Sequence, residues 1–364
     1  MENLDEFVKE IKKIGMSAQA SVGLKDYRHM RCIGTLGTLF FGLGLLFCFF
    51  GQWLVGGVFL SQHLMVKWLL MHHIGHGGYN RINNIPKRFH SAYYAQGYRR
   101  YLDWFDWIQA DAWNYEHNYL HHTFTGENKD PDLVENNLDW LANLEQPTFI
   151  KWFILFIAAM SWKFTYYSPQ TLSCFKDYQK VNVKNFIDVR QKTPRHMWFT
   201  LFLPYIGFHF IALPLLCEWI VPGMGINVFY ARLLAEVIHN IQMFIIIVPN
   251  HSGADLYRFD NINQYKHRNS EYYLRQILGS TNYPNGNEAI DFLHMYLNYQ
   301  IEHHLFPNLP MRQYKLIQPK IRATCEKYNV PYVQENVWCR FIKMVHIATG
   351  KQKMRRLSGT SVQE

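Results

Sequence analysis

Between Cys32 and Leu70 the chain carries no charged side chain until Lys67, and no other feature constrains the fold as much. This run is about twice the ~20 apolar residues that one helical membrane crossing requires. It predicts a helical hairpin, with Gly51, Gln52, Gly56 and Gly57 supplying the turn. Three more apolar stretches follow, Phe149 to Ser161, Met197 to Val221 and Asn227 to Val248. Only Pro222-Gly-Met-Gly-Ile separates the last two, so they form a second hairpin. Phe149 to Ser161 is short for a span and lies between Lys151 and Lys163, which suits a helix in the membrane interface. The expected architecture is an all-α integral membrane protein with spans near 33–51, 53–70, 197–221 and 227–248 and an interfacial helix near 149–161.

Charge placement orients these hairpins. Their tips lack Lys and Arg, whereas the arm 1–31, the 163–196 connection and the tail 346–364 are rich in both, which puts both termini in the cytoplasm. Making 149–161 a true span and 227–248 a half-embedded helix is the alternative. It strands the seven Lys and Arg from Lys163 to Arg195 on the outer side and ranks lower. The opening MENLDEFVKEIKKIG is charged and amphipathic and lacks the apolar core of a cleavable signal. The closing KQKMRRLSGTSVQE reads as a disordered polar tail, and residues 32–345 as one domain.

The excess of 37 Lys and Arg over 28 Asp and Glu is spread among apolar runs. Without an aromatic-and-glycine RNA-binding signature, it points to a membrane surface rather than to nucleic acid. The six cysteines stand singly, with no CxxC, and Cys48 and Cys217 sit in apolar runs, so neither a disulfide framework nor a Cys-based zinc site is indicated.

Eight of the eighteen histidines fall into three clusters. His72-His73-Ile-Gly-His76 ends the second span, and His72 and His76, four apart, share a helix face as two ligands of one metal would. In Glu116-His117-Asn-Tyr-Leu-His121-His122, His117 and His121 share a face and His122 lies about 100° round an α-helix, placed for a neighbouring metal. In Asn298-Tyr-Gln300-Ile-Glu-His303-His304, Gln300, His303 and His304 share a face. Neutral imidazole suits iron, and the hairpin topology brings all three clusters to one side of the membrane. A lone HxxxH arises by chance, but three such clusters at membrane boundaries do not read that way.

His251 ends the fourth span at the same level and is an additional candidate ligand. His239 and Asn240 lie about three turns deeper, near Arg232, Glu236 and Gln242, where a second-shell role and bundle-interior hydrogen bonding weigh equally. His73 reads as a partner that holds a neighbour's tautomer. His63, His90, His196, His209, His267 and His294 read as structural or solvent-facing.

The order HxxxH, HxxxHH, QxxHH resembles the membrane fatty acid desaturase family across roughly residues 30 to 345. Leu297 to Pro310, LNYQIEHHLFPNLP, looks like the third box of front-end and sphingolipid desaturases, with Gln300 in place of the first histidine. The resemblance implies a four-span, mushroom-shaped fold whose cytosolic cap holds two irons. It implies His72, His76, His117, His121, His122, His251, His303 and His304 as ligands, with Gln300 near the metals directly or through water. Lys129-Asp-Pro-Asp132 is also similar to the family, and Asp130 or Asp132 is a candidate to orient a ligating histidine, beside the plainer reading of a solvated turn. Many relatives have Asp at the position of His73. Many also carry a fused cytochrome b5 domain, whereas here about thirty residues precede the first span, so a separate donor, cytochrome b5 or ferredoxin with its reductase, is expected.

No side chain is a strong enough base to remove hydrogen from a mid-chain methylene, so a di-iron centre using O2 is the expected agent and a lipid acyl chain the expected substrate. The Gln box leans toward a double bond counted from the carboxyl end. Trp104-Phe-Asp-Trp107 and Trp113 are candidates to line an acyl tunnel, although interfacial packing explains each singly, and Arg81, Lys87 and Arg88 could meet a head group or an acidic donor. The expected location is the endoplasmic reticulum in a eukaryote or the inner membrane in a bacterium, with the site on the cytoplasmic side. The competing readings are a hydroxylase, acetylenase or carotenoid oxygenase with the same metal site, and a non-catalytic metal-binding membrane protein.

Overall fold

A computed structural model describes residues 4–175, 177–260, 270–358 and 361–362; His267 lies outside them. Leu4–Ser21 forms α1, Leu24–Phe49 α2 and Trp53–Gly75 α3. Residues 110–124 form α4, Thr148–Met160 α5 and Lys163–Cys174 α6. The two longest later helices are α7, Lys192–Ile220, and α8, Met224–His251. Four further helices are α9 at Ser270–Leu278, α10 at Gln300–Leu305, α11 at Met311–Lys327 and α12 at Val337–Ala348, with shorter helical turns in the connections.

The apolar helices α2, α3, α7 and α8 are each long enough to cross a membrane. At 1.5 Å per residue their 23 to 29 residues exceed the ~30 Å hydrocarbon core. His72 and His76 stand at the end of α3 and His251 at the end of α8. Large apolar side chains such as Leu39, Leu46, Leu215 and Trp219 are exposed on these helices, as lipid-facing surfaces are and water-facing ones rarely are.

Of the four residues expected in the first turn, only the neighbourhood of Gly51 turns, with Gly51 in the left-handed region at φ 74. Gly56 and Gly57 lie inside α3. A Cβ on Gly56 would stand 2.7 Å from Cys48 Sγ, so the absent side chain is what lets α2 and α3 approach. In α7, Pro204 and Pro214 each follow a widened π-helical turn, Met197–Phe202 and Gly207–Ala212, which absorbs the missing backbone donor.

The helix expected in the interface is α5, and it breaks from α6 by 82°. Lys163 at that break is fully buried and reaches Asp106 at 2.7 Å. Nearby, Glu236 accepts from Trp107 Nε1 at 3.0 Å, from Arg232 at 3.2 Å and from Tyr205, so the buried Lys163, Asp106, Arg232 and Glu236 are paired, as burial demands.

The N-terminal arm is largely α1, which buries Phe7, Val8 and Ile11 and packs on α11. The C-terminal segment is more ordered than expected. In the supposed polar tail, Arg355–Ser358 pairs in parallel with Tyr257–Phe259 and then with Ser361–Val362, making the one small sheet among the described residues. That strand restores backbone hydrogen bonds to a segment whose polar side chains alone suggested disorder.

Candidate metal centre

The three histidine clusters and His251 converge. The ligand nitrogens of His72, His76, His117 and His303 lie within 4.8 Å of one another, as do those of His121, His251 and His304, and those of His122, His303 and His304. His303 and His304, adjacent on α10, face different groups and so join two pockets. Within the second box His117 stands close to both of the others, its ligand nitrogen lying within 4.8 Å of the ligand atoms of His121 and Asp132 as well. His122 Nε2 lies 3.3 Å from His117 Nε2, while His121 turns toward His251 and His304, with ring centroids 4.8 and 5.0 Å away. Asn114–His121 is wound as a π-helix, and the wider turn brings residue i+5 back over residue i.

The donor set fits a metal. His72 Nε2 and His303 Nε2 are 3.1 Å apart, close to the ~3.0 Å that separates two nitrogens bound at right angles, each ~2.1 Å from one ion. Burial, reinforced by neighbouring imidazoles, holds His76, His117, His122, His303 and His304 well below the ordinary histidine pKa, in the neutral form that ligates.

Hydrogen bonds at the outer nitrogens fix several tautomers. Nδ1 of His304 donates to Gln276 Oε1, that of His251 to the Gly279 carbonyl and that of His121 to Asp130 Oδ1, each at 2.9 Å. Nδ1 of His303 meets the Tyr314 hydroxyl at 3.2 Å, and that hydroxyl itself donates to the Pro307 carbonyl. In all four rings the Nε2 lone pair therefore points inward. His304 Nε2 is buried and unpartnered there, and so is Gln300 Oε1, whose Nε2 lies 2.9 Å from His251 Nε2.

Burial opposes a charge on His121, but the Asp130 carboxylate outweighs it and raises the His121 pKa. Asp130 is lowered in turn, because His121 and the backbone amides of Gly126 and Asp132 outweigh its own burial. Asp132 stands farther off, 3.6 Å from His121. Behind them Glu116 is fully buried, and burial together with Asp132 raises its pKa well above the carboxylate range.

Not every candidate joins the cluster. His73 Nε2 is bonded to the Met295 carbonyl at 3.1 Å rather than to a neighbouring histidine. His239 lies roughly 18 Å before His251 at helical rise. Asn240 accepts from the Lys163 amide and donates to the Glu236 carbonyl, both at 2.8 Å, so these two belong to the bundle interior. His63, His196 and His294 bond to Gly37, Gln109 and Ile290, and His209 packs on Tyr205. Trp107 serves Glu236, whereas Trp113 stacks on His117 at 4.7 Å and donates to Tyr167. Arg81, Lys87 and Arg88 are exposed.

Gln276 and Tyr314 escaped the sequence reading, as did Asn282. Asn282 accepts from the Ile301 amide and donates to Glu302, fastening α10 from behind. Burial lifts the Glu302 pKa to about 7 against the pull of Asn282 and Tyr332.

A helical chain with four helices apolar and long enough to cross a membrane, and with clustered buried histidines that could hold metal ions, fits a class, the histidine-rich membrane proteins. Comparison with known proteins narrows it. The family model described as fatty acid desaturase matches residues 43–336, and the chain belongs to that family of oxidoreductases. It is 23% identical over 346 residues to the NADPH-dependent stearoyl-CoA 9-desaturase of Mycobacterium tuberculosis, covering 91% of this chain and 75% of that one. It is 22% identical over 275 residues to the sn-1 linoleoyl-lipid 6-desaturase of Arthrospira platensis, covering 73% of this chain and 68% of that one. With the acyl-lipid (9-3)-desaturase of Physcomitrium patens the identity is 26% over 262 residues, covering 66% and 42%. No solved structure matches the chain significantly.

Proposed function

We propose that the chain is a multi-pass membrane desaturase of fatty acyl chains, in which His72, His76, His117, His122 and His303 hold one iron and His121, His251 and His304 the other, with Gln300 beside the second. Two helical hairpins carry a cap formed by the remaining helices, and the positive-inside bias sets the site on the cytoplasmic side. The tautomers carry this reading: outer nitrogens that donate outward turn the inner lone pairs of His121, His251, His303 and His304 toward one another, and that of His304 has no hydrogen-bond partner.

The irons supply the O2 chemistry that acid–base groups cannot. Overall, two hydrogens leave adjacent carbons and, with two electrons from an external donor and two protons, reduce O2 to two waters. The chain's own residues hold and dry the site. Asp130, Gln276, Gly279 and Tyr314 fix the ring directions, and Trp113 and Trp68 cover the His72 and His117 side. The relatives' names extend to acyl-CoA and to lipid-linked acyl chains, and either carrier fits a site at the ends of membrane-embedded helices.

Full-length protein, reconstituted anaerobically and expressed in a host of known lipid content, tests the reading. Two irons per chain and a lipid product two hydrogens lighter are expected. A product that gains an oxygen, no bound iron, or unchanged lipids with His121→Ala and His304→Ala would sink it.

A further inference from the structure

His73 is the one histidine of the first two boxes that belongs to none of the close ligand groups among the described residues. It is nonetheless almost completely buried, at 1% exposure. Its Nε2 lies 3.1 Å from the Met295 carbonyl, which can only accept, so that nitrogen carries the proton. Nδ1 has no hydrogen-bond partner.

The carbonyl it meets is unusual. Met295 and Tyr296 both have φ 56, two successive left-handed residues with side chains, and both are buried. Such a pair is strained and persists only where its surroundings over-determine it. Part of the restraint is local, since the amides of Met295 and Tyr296 donate to the Phe292 and Asp291 carbonyls. Tyr296 is held again by its hydroxyl, which donates to Glu288 and meets His29, both at 3.0 Å. Directly after this turn come Leu297–Tyr299 and then α10, with Gln300, His303 and His304. The direction of the turn thus decides where the third box begins.

We propose that His73 is a positioning residue: by donating to Met295 it locks the strained turn that launches α10, and so sets the first box against the third. The reach is short, because His72, next in sequence, lies 3.1 Å from His303 through their Nε2 atoms, and the His73 ring centroid is 6.1 Å from that of His303. A carboxylate could not replace His73, having no proton to give a carbonyl. Glutamine could, since its amide nitrogen overlays Nε2.

The consequence for metal binding rests on the function proposed above; the consequence for the backbone does not. The test therefore reads both in the full chain: hydrogen–deuterium exchange of residues 295–305 without metal, and cobalt(II) binding by absorption. His73→Phe should speed exchange there at least about tenfold and weaken cobalt about tenfold to hundredfold, the range seen when outer partners of metal ligands are lost. His73→Gln should restore both. Met295→Gly and Met295→Ala open similar cavities, but only glycine accepts φ 56 without strain. In the His73→Phe background the glycine variant should exchange at least about fivefold more slowly than the alanine variant, a gap wider than with His73 present. Unchanged exchange in His73→Phe, no rescue by glutamine, or equal glycine–alanine gaps in both backgrounds would overturn the proposal. If exchange responds as stated but no variant, nor the natural chain, binds cobalt, the positioning role stands and the metal reading falls.

Discussion

The two pockets of the histidine cluster are held in different ways. In the pocket of His121, His251 and His304, every outer nitrogen is engaged, by Asp130, the Gly279 carbonyl and Gln276. In the other, the Nδ1 atoms of His72, His117 and His122 have no hydrogen-bond partner among the described residues, and Tyr314 supports only His303. That pocket relies on packing, with Trp113 stacked on His117 and Trp68 5.0 Å from His72. The difference follows ligand number. Five rings crowding one another leave little freedom to turn, whereas three rings and an amide need directional bonds to stay aimed.

The largest effect should come from removing a ligand from either pocket. His304→Ala should abolish product and His72→Ala should do the same, each leaving about half the iron of the natural chain; both numbers come from one preparation by metal analysis and lipid mass spectrometry. Loss of all iron in His72→Ala but not in His304→Ala would break the view of two separable pockets. Next in size is Asp130→Asn, which keeps shape but loses the charge on His121 and should lower iron affinity about 10–100-fold. Trp113→Phe, which keeps a packed ring over His117, should cost much less. An equal cost would show that packing and directional bonds matter alike.

The sequence disclosed the ligands more readily than the supports. Histidine spacing is a local pattern, and the box residues converge where the ends of α3 and α8 meet α4 and α10. The close approach of His122 to His117 was hidden because it depends on a π-helical turn that no residue type announces. Gln276 and Tyr314 sit in ordinary amphipathic helices, 28 residues before His304 and 11 after His303, where nothing but the tertiary fold makes them partners. Asp130 was legible only as one of a pair, and the geometry chose it over Asp132 through a 2.9 Å bond. The glycines of α3 were misassigned to a turn because the same residue serves both bends and close helix packing.

Gln276→Leu should reduce iron affinity about tenfold, at the low end of outer-shell effects, while Gln276→Glu, which still accepts from His304, should stay near the natural value. Glutamate behaving like leucine would mean that Gln276 acts through its amide donation to the His122 carbonyl rather than through the tautomer of His304.

Acid sets His121 apart from its neighbours in the metal-free protein. His76, His117, His122, His303 and His304 are held below the ordinary value of about 6.5, so below that pH the unfolded chain binds protons that the folded one refuses. Stability from these groups is therefore lost as pH falls from about 6.5. His121 works in the opposite sense. Its pKa is raised beside Asp130, so its contribution is complete below about 6.5 and fades as pH rises through the folded value. Asp130→Asn removes that offset, and its acid denaturation midpoint should lie at higher pH than that of the natural chain; an unchanged midpoint would mean that the ion pair adds nothing to acid resistance.

Tyr314→Phe should have the smallest effect, because it removes a single 3.2 Å bond from a ring already wedged among His72, His76 and His122. One neutral hydrogen bond is worth about 1 kcal/mol, or roughly fivefold in affinity, and crowding should blunt even that. Iron affinity measured against Gln276→Leu gives the comparison its most direct form, since each variant frees one outer nitrogen on neighbouring histidines of α10. A larger loss for Tyr314→Phe would reverse the ranking and show that the crowded pocket depends on its one directional bond more than the open pocket does on any of its three.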